Sequence, residues 1–238
     1  MNTVEDLPGT LDGLVFDLDG TLYHMKWFMR PLLIAQLLPH IRRLPRYMSV
    51  RGELMGVDME SGDRLMRELS IRLGKREKRE PEKMAEWIRL RFYPAFVRLM
   101  PLLRDSRPGL DRTVKVLRTR GIATAVVSDF DRIPERLLKL GHDPSAFDDI
   151  RSTEKEGMLK PSARVLSVLA RRWRAAPERV LVVGDRDDTD GAAARAAGMP
   201  FVRITDKRLA PGGTAIAWTC LREYLEAVTA SAESSRGS

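Results

Sequence analysis

The chain has 238 residues, a formal net charge of +8 and 43% hydrophobic residues, enough apolar material for a sizeable core and too much for a disordered chain. Its single cysteine, Cys220, excludes a disulfide framework and any cysteine-based metal cluster. The basic excess points to anionic partners, among them nucleic acid, lipid headgroups and phosphorylated metabolites, and selects none of them.

Met1 to Leu11 is acidic and lacks an apolar core, so no secretory signal is expected there. No apolar run approaches the ~18 residues of a membrane span, and the protein is expected to be soluble and cytoplasmic. Leu11 to Leu18 reads as a buried strand around Leu14-Val15-Phe16, and it runs into the Asp-rich turn Asp17-Leu18-Asp19-Gly20-Thr21. From His24 to about Arg107 the pattern becomes helical, with Leu65, Met66, Leu69 and Leu73, then Met84, Trp87, Ile88 and Phe92, at helical spacing. Prolines such as Pro31, Pro81 and Pro94 punctuate it. This stretch reads as a helical module of its own.

After Pro108-Gly109 an α/β rhythm begins. The sequence predicts a helix over Leu110–Arg120, a strand over Ile122–Val127, a helix over Pro134–Leu140 and a short strand near Phe147–Arg151. A helix over Ser162–Trp173 follows, then a strand at Val180–Val183, an alanine-rich helix at Gly191–Ala197 and a strand at Phe201–Ile204. A last helix covers Leu221–Val228, and the Ser/Gly-rich tail from Ser231 is expected to fray. Strands alternating with helices predict a doubly wound, Rossmann-like parallel sheet covered on both faces, with a smaller all-helical module inserted.

Ligands of such sheets lie outside the carboxyl ends of the strands. The first strand delivers Asp17 and Asp19, the second Ser128 and Asp129, and the strand at Val180 delivers Gly184-Asp185. Carboxylates gathered in one pocket need a cation or a proton. A hard, oxygen-preferring ion such as Mg²⁺ meets that need with carboxylates, water and phosphate. Asp-Gly and Gly-Asp pairs are also ordinary turn chemistry; two of them directly after buried strands favour a site.

These segments resemble, in order, the four motifs of the haloacid dehalogenase superfamily of hydrolases. Asp17-Leu18-Asp19-Gly20-Thr21 resembles the first and Ser128 the second, with Asp129 standing where asparagine is common. Lys160-Pro161 resembles the third, and Gly184-Asp185 through Asp190 the fourth. The resemblance implies that Asp17 attacks the phosphoryl group and becomes an aspartyl phosphate, while Asp19 protonates the leaving oxygen and then activates water. It implies phosphate contacts from Ser128, Asp129 and the Leu18–Thr21 loop, charge compensation by Lys160, and Mg²⁺ held by Asp17, the Asp19 carbonyl, Asp185 and Asp190. Asp187 and Asp188 compete with Asp190, which is preferred because it also stands where it could cap the following helix. The acid at Asp19 favours phosphoryl transfer over dehalogenation. A phosphomutase or other phosphotransferase of the family, a catalytically idle binding module and a receiver-like signalling domain are the rival readings; the last is about half this length.

The resemblance implies a helical cap over 24–107, inserted in a core formed by 1–23 and 108–230, with 231–238 as a flexible tail. Hinges are expected near Tyr23–Lys26 and Asp105–Pro108. Between His24 and Gly52 stand six lysines or arginines and no acid. That pattern reads either as a basic solvated helix face or as a surface for a large anionic or lipid-like phosphate or for membrane headgroups. The expected partner is a small phosphorylated metabolite rather than nucleic acid; the oligomeric state is not legible. His24 lies near the pocket mouth, His40 and His142 have no evident partners, and Cys220 carries no expected chemistry.

Overall fold

The computed structural model describes residues 7–24, 26–104, 107–205 and 215–234, with side chains to residue 230. Six strands form one parallel sheet: β1 (Gly13–Asp17), β2 (Ala123–Ser128), β3 (Asp149–Ser152), β4 (Val180–Gly184), β5 (Phe201–Ile204) and β6 (Ala215–Ile216). Their spatial order is β3-β2-β1-β4-β5-β6, which places a reversal of winding beside β1. Gly13 pairs with Ala123 on one side and with Val180 on the other. The carboxyl ends of β1, β2 and β4 therefore emerge together, and a crevice opens there.

Alternation along β1 assigns its two faces. Leu14 and Phe16 join a large apolar cluster with Val126, Leu181 and Val183, whereas Val15 joins Ala125, Val127 and Val182 on the opposite face. The first face is covered by α6 (Leu110–Thr119), α7 (Ile133–Leu140) and α10 (Trp218–Ser234). The second is covered by α8 (Arg164–Trp173) and α9 (Ala192–Ala196). This is the doubly wound sheet that the α/β rhythm predicts.

Several boundaries differ from the sequence expectation by one to three residues, as fraying ends do. Two differences are larger. The two-residue β6 is too short to leave a periodic signal. Helix α10 starts at Trp218 and its backbone continues to Ser234, because neither proline nor glycine stands between Val228 and Ser234. Residues 235–238 of the expected tail lie outside the described residues.

Between β1 and α6 the chain is helical: α1 (Met29–Gln36), α2 (Arg43–Glu53), α3 (Gly62–Glu77), α4 (Pro81–Trp87) and α5 (Tyr93–Leu99), with a π-helical turn at Ile88–Phe92. Ser61 caps α3 by accepting from the Arg64 amide, and Pro81 opens α4 at a position where no amide is needed. Tyr47, Trp87, Phe92 and Phe96 stack edge or face within this module, and Phe92 and Phe96 also pack on Phe130 of the loop after β2. The connecting segments are anchored where they are described. Tyr23 is fully buried, and buried Arg107 donates from Nε to the Thr21 carbonyl (2.5 Å). Met25, Asp105 and Ser106 of the expected hinges lie outside the described residues. Among the described residues no helix is long and apolar enough to cross a membrane.

Candidate active site

Asp17 is the last residue of β1 and is buried. Lys160, from the loop that precedes α8, places Nζ 2.6 Å from Asp17 Oδ1, 2.6 Å from Asp190 Oδ1 and 3.2 Å from the Val127 carbonyl. Burial opposes the Lys160 charge, but Asp17 and Asp190 hold its ammonium well above the ordinary lysine range. One cation thus ties the ends of β1 and β2 to the turn after β4. Asp190 lies in the π-helical turn Asp187–Gly191, and its carboxylate faces Lys160 rather than capping α9, whose N-cap position is Gly191 with no side-chain cap. The expected capping role is corrected accordingly. Asp187 and Asp188 are exposed and pair with Arg195 and Arg186.

Asp17, Asp185 and Asp190 bring carboxylate oxygens within 4.8 Å of one another. Asp17 Oδ2 is buried and accepts no hydrogen bond from the protein. Burial, with Asp190 adding to it, pushes Asp17 up against the opposing effect of Lys160, and burial with Asp190 pushes Asp185 up to about 6. An unsatisfied buried oxygen amid three crowded carboxylates fits a hard divalent cation. Two glycines permit the approach. Gly20 has φ +90°, and a Cβ there would collide with Asp185 Oδ2; a Cβ on Gly184 would meet the Asp190 side chain at 2.5 Å.

Asp19 lines the same cavity as Asp17, Asp185 and Asp190. Its carboxylate accepts from Arg136, from the Tyr23 hydroxyl and from Ser128 Oγ (2.6 Å). Burial and the neighbouring Asp19 charge push the Tyr23 phenol well up, which keeps it a neutral donor. Arg136 is wholly buried; it also donates to the Phe130 carbonyl (3.3 Å) and lies 4.5 Å over the Phe96 ring. Neither Tyr23 nor Arg136 emerges as a site residue from the sequence. Arg136 left a signal: Ile133, Arg136, Leu137 and Leu140 are the buried residues of α7, so an arginine occupies a position in an apolar stripe.

Six of the expected site residues, Asp17, Asp19, Asp129, Lys160, Asp185 and Asp190, line one polar cavity of about 320 Å³. Asp129 Oδ1 accepts from the Lys160 amide (2.9 Å) and from Thr153 Oγ1 (2.6 Å), an arrangement that sets the Lys160 loop. Ser128 and Thr21 are fully buried. Ser128 Oγ is engaged with Asp19 and with the Phe130 amide (3.0 Å), and Thr21 Oγ1 has no hydrogen-bond partner. The structure does not bring these two hydroxyls to the cavity wall.

Arg51 of α2 does reach that wall. It pairs with buried Glu154, donates to the Asp129 carbonyl (2.6 Å) and covers the Phe130 ring at 4.2 Å. Tyr93 also donates to Glu154 (2.7 Å). Arg43 and Arg46 share Glu77, at 3.2 and 2.6 Å. The reading of the six basic residues as one solvated face therefore fails: Arg43 and Arg51 are buried, and their acidic partners lie far along the sequence. His142 likewise has a partner, Asp111, 2.9 Å from its Nδ1.

A family model described as a haloacid dehalogenase-like hydrolase matches residues 11–198. The chain belongs to this hydrolase family. Glyceraldehyde 3-phosphate phosphatase of Methanocaldococcus jannaschii is 25% identical over 205 residues, spanning 82% of this chain and 85% of that protein. The crystal structure of 2-haloacid dehalogenase from Pseudomonas syringae pv. Tomato DC3000 superposes with a TM-score of 0.60 at 19% identity, covering 91% of this chain and 99% of the other. A haloacid dehalogenase-like hydrolase from Bacillus subtilis, YfnB, bound to magnesium, gives 0.55 at 17% identity, covering 91% and 99%. The two structural likenesses establish the shared fold. The family membership makes this chain a hydrolase.

Proposed function

We propose that this hydrolase is a Mg²⁺-dependent phosphomonoesterase in which Asp17 is the nucleophile. The observation that carries the reading is the Asp17 carboxylate itself: one oxygen is fixed by Lys160 at 2.6 Å, and the other is buried without a partner at the strand-end crevice. A carboxylate held in one orientation with a spare lone pair is prepared for in-line attack on phosphorus. The phosphatase name of the Methanocaldococcus relative agrees with this chemistry.

Asp17, Asp185, Asp190 and the Asp19 carbonyl would hold Mg²⁺, which supplies charge neutralisation between carboxylate and phosphate. Lys160 offsets the negative charge that gathers on Asp17, Asp190 and the transferred group. Attack by Asp17 breaks the bond from phosphorus to the ester oxygen, and that oxygen takes a proton from Asp19. Asp19 then accepts a proton from water as the water attacks the aspartyl phosphate, which releases inorganic phosphate and regenerates the Asp17 carboxylate. Arg136, Tyr23 and Ser128 orient Asp19 between these steps. Asp129 orders the Lys160 loop, and Arg51 is the cation that the helical module offers to the phosphate. Residues 24–107 act as the cap over a core formed by 1–23 and 108–230, excluding water during transfer.

Phosphate release from p-nitrophenyl phosphate, measured with Mg²⁺ and again with excess chelator, tests the reading. Turnover that stops with chelator and returns with added Mg²⁺ supports it; equal turnover in both overturns the metal requirement.

A further inference from the structure

Beside the polar cavity lies a larger and chemically different one, of about 710 Å³. Its walls come from α1, α2, α5, the π-helical turn before α5 and the loop after β2, with Met29, Leu33, Leu44, Phe92, Phe96 and Leu99 among the apolar lining. Among the described residues no carboxylate lines it. Three cations do: Lys26, Arg30 and Arg42, all exposed. These are the other half of the basic stretch, distinct from Arg43, Arg46 and Arg51, which pair with Glu77 and Glu154.

The two cavities share Met48 and Phe130. Phe130 is fixed, with Arg51 over one face and the Phe96 ring 5.4 Å away. Met48 is 38% exposed, unbranched and adaptable, so it is the movable part of the partition. A small polar ester would use the 320 Å³ cavity alone and leave the second cavity unfilled. Pockets of this size and lining are suited to an apolar ligand.

We propose that the substrate is a phosphomonoester with an extended apolar body: the phosphate lies at Asp17, and an aliphatic or aromatic body passes Met48 into the second cavity. This rests on the phosphatase reading above and deepens it. The apolar walls provide the affinity. The rim of Lys26, Arg30 and Arg42 draws in the anionic amphiphile, an attraction that weakens with salt.

A homologous series of n-alkyl phosphates from ethyl to octyl, used below their micellar concentrations with Mg²⁺, tests the proposal alongside calorimetric binding of ethyl- and octylphosphonate. Each fully buried methylene raises kcat/KM by about fourfold, so even partial burial of the four added methylenes is expected to place octyl phosphate at least about tenfold above butyl phosphate. Octylphosphonate is expected to bind more tightly than ethylphosphonate by a similar factor. Ile34 lines the apolar cavity at a half-buried position, and Ile34→Glu is expected to lower the octyl-to-ethyl ratio of kcat/KM severalfold. Turnover of every ester with no gain along the series, or an unchanged ratio in Ile34→Glu, overturns the apolar substrate and leaves the phosphatase reading standing. Length-dependent phosphonate binding without turnover of any ester supports the cavity assignment and overturns the phosphatase reading. Neither turnover nor length-dependent binding overturns both.

Discussion

Arg136 donates from a fully buried guanidinium to the carboxylate of Asp19, tying α7 to the turn after β1. Removing one partner of a buried pair leaves the other charge without compensation, which costs about 3 kcal/mol. Arg136→Met is therefore expected to lower the unfolding free energy by about that amount in urea titrations. Because Asp19 loses its orientation and the phosphate contacts remain, kcat should fall more than KM rises. Arg136→Lys should recover part of the kcat. An Arg136→Met enzyme with wild-type kcat would remove the positioning role.

Mg²⁺ should stabilise the fold, because it binds the crowded carboxylates of the native state. At a concentration of about 100 times its Kd the gain is about 2.7 kcal/mol, or roughly 5–10 °C in thermal midpoint for a chain of this size. The pH dependence follows from Asp185. Its ordinary value is 3.8, and burial followed by Asp190 raises it to about 6 in the fold. Between these values the folded state binds more protons than the unfolded one, so this group's contribution to metal-free stability falls as pH rises from about 3.8 through 6. Mg²⁺ displaces the same protons, so its stabilisation should be small at pH 5 and full at pH 7.5. In Asp185→Asn the part of the pH slope due to this group and most of the Mg²⁺ shift should disappear in differential scanning fluorimetry. An undiminished Mg²⁺ shift would place the ion elsewhere.

Gly20→Ala tests the turn itself. The left-handed φ of +90° and the contact of a Cβ with Asp185 make the substitution cost about 1–2 kcal/mol. The Mg²⁺ dependence of activity should shift to higher concentrations as Asp185 is pushed aside. A variant with wild-type stability and metal response would show that the turn has other freedom.

The residues legible in the sequence are those whose role depends on place along the chain. Asp17, Ser128 and Asp185 stand at or directly after strands whose apolar runs mark them, and a parallel sheet gathers such ends whatever the details of packing. What the sequence hid depends on contacts across the chain. Arg51 and Glu154 are 103 residues apart and Arg43 and Glu77 are 34 apart, so a run of bases that reads as a solvated face contains buried ion pairs. Ser128 could be placed at a strand end, but its engagement with Asp19 depends on side-chain geometry 109 residues away. Arg136 was within reach, since a charge in an apolar helical stripe needs a buried partner. The apolar cavity was not, because its lining is assembled from three helices and the loop after β2.

The claim that Asp17 is the nucleophile is tested most directly by the turnover of Asp17→Asn on p-nitrophenyl phosphate in saturating Mg²⁺, with folding checked by circular dichroism. Asparagine keeps the shape of the side chain and removes the attacking oxyanion. The predicted result is a native fold with kcat lower by at least about a thousandfold. A folded Asp17→Asn enzyme that turns over at the wild-type rate would contradict the account.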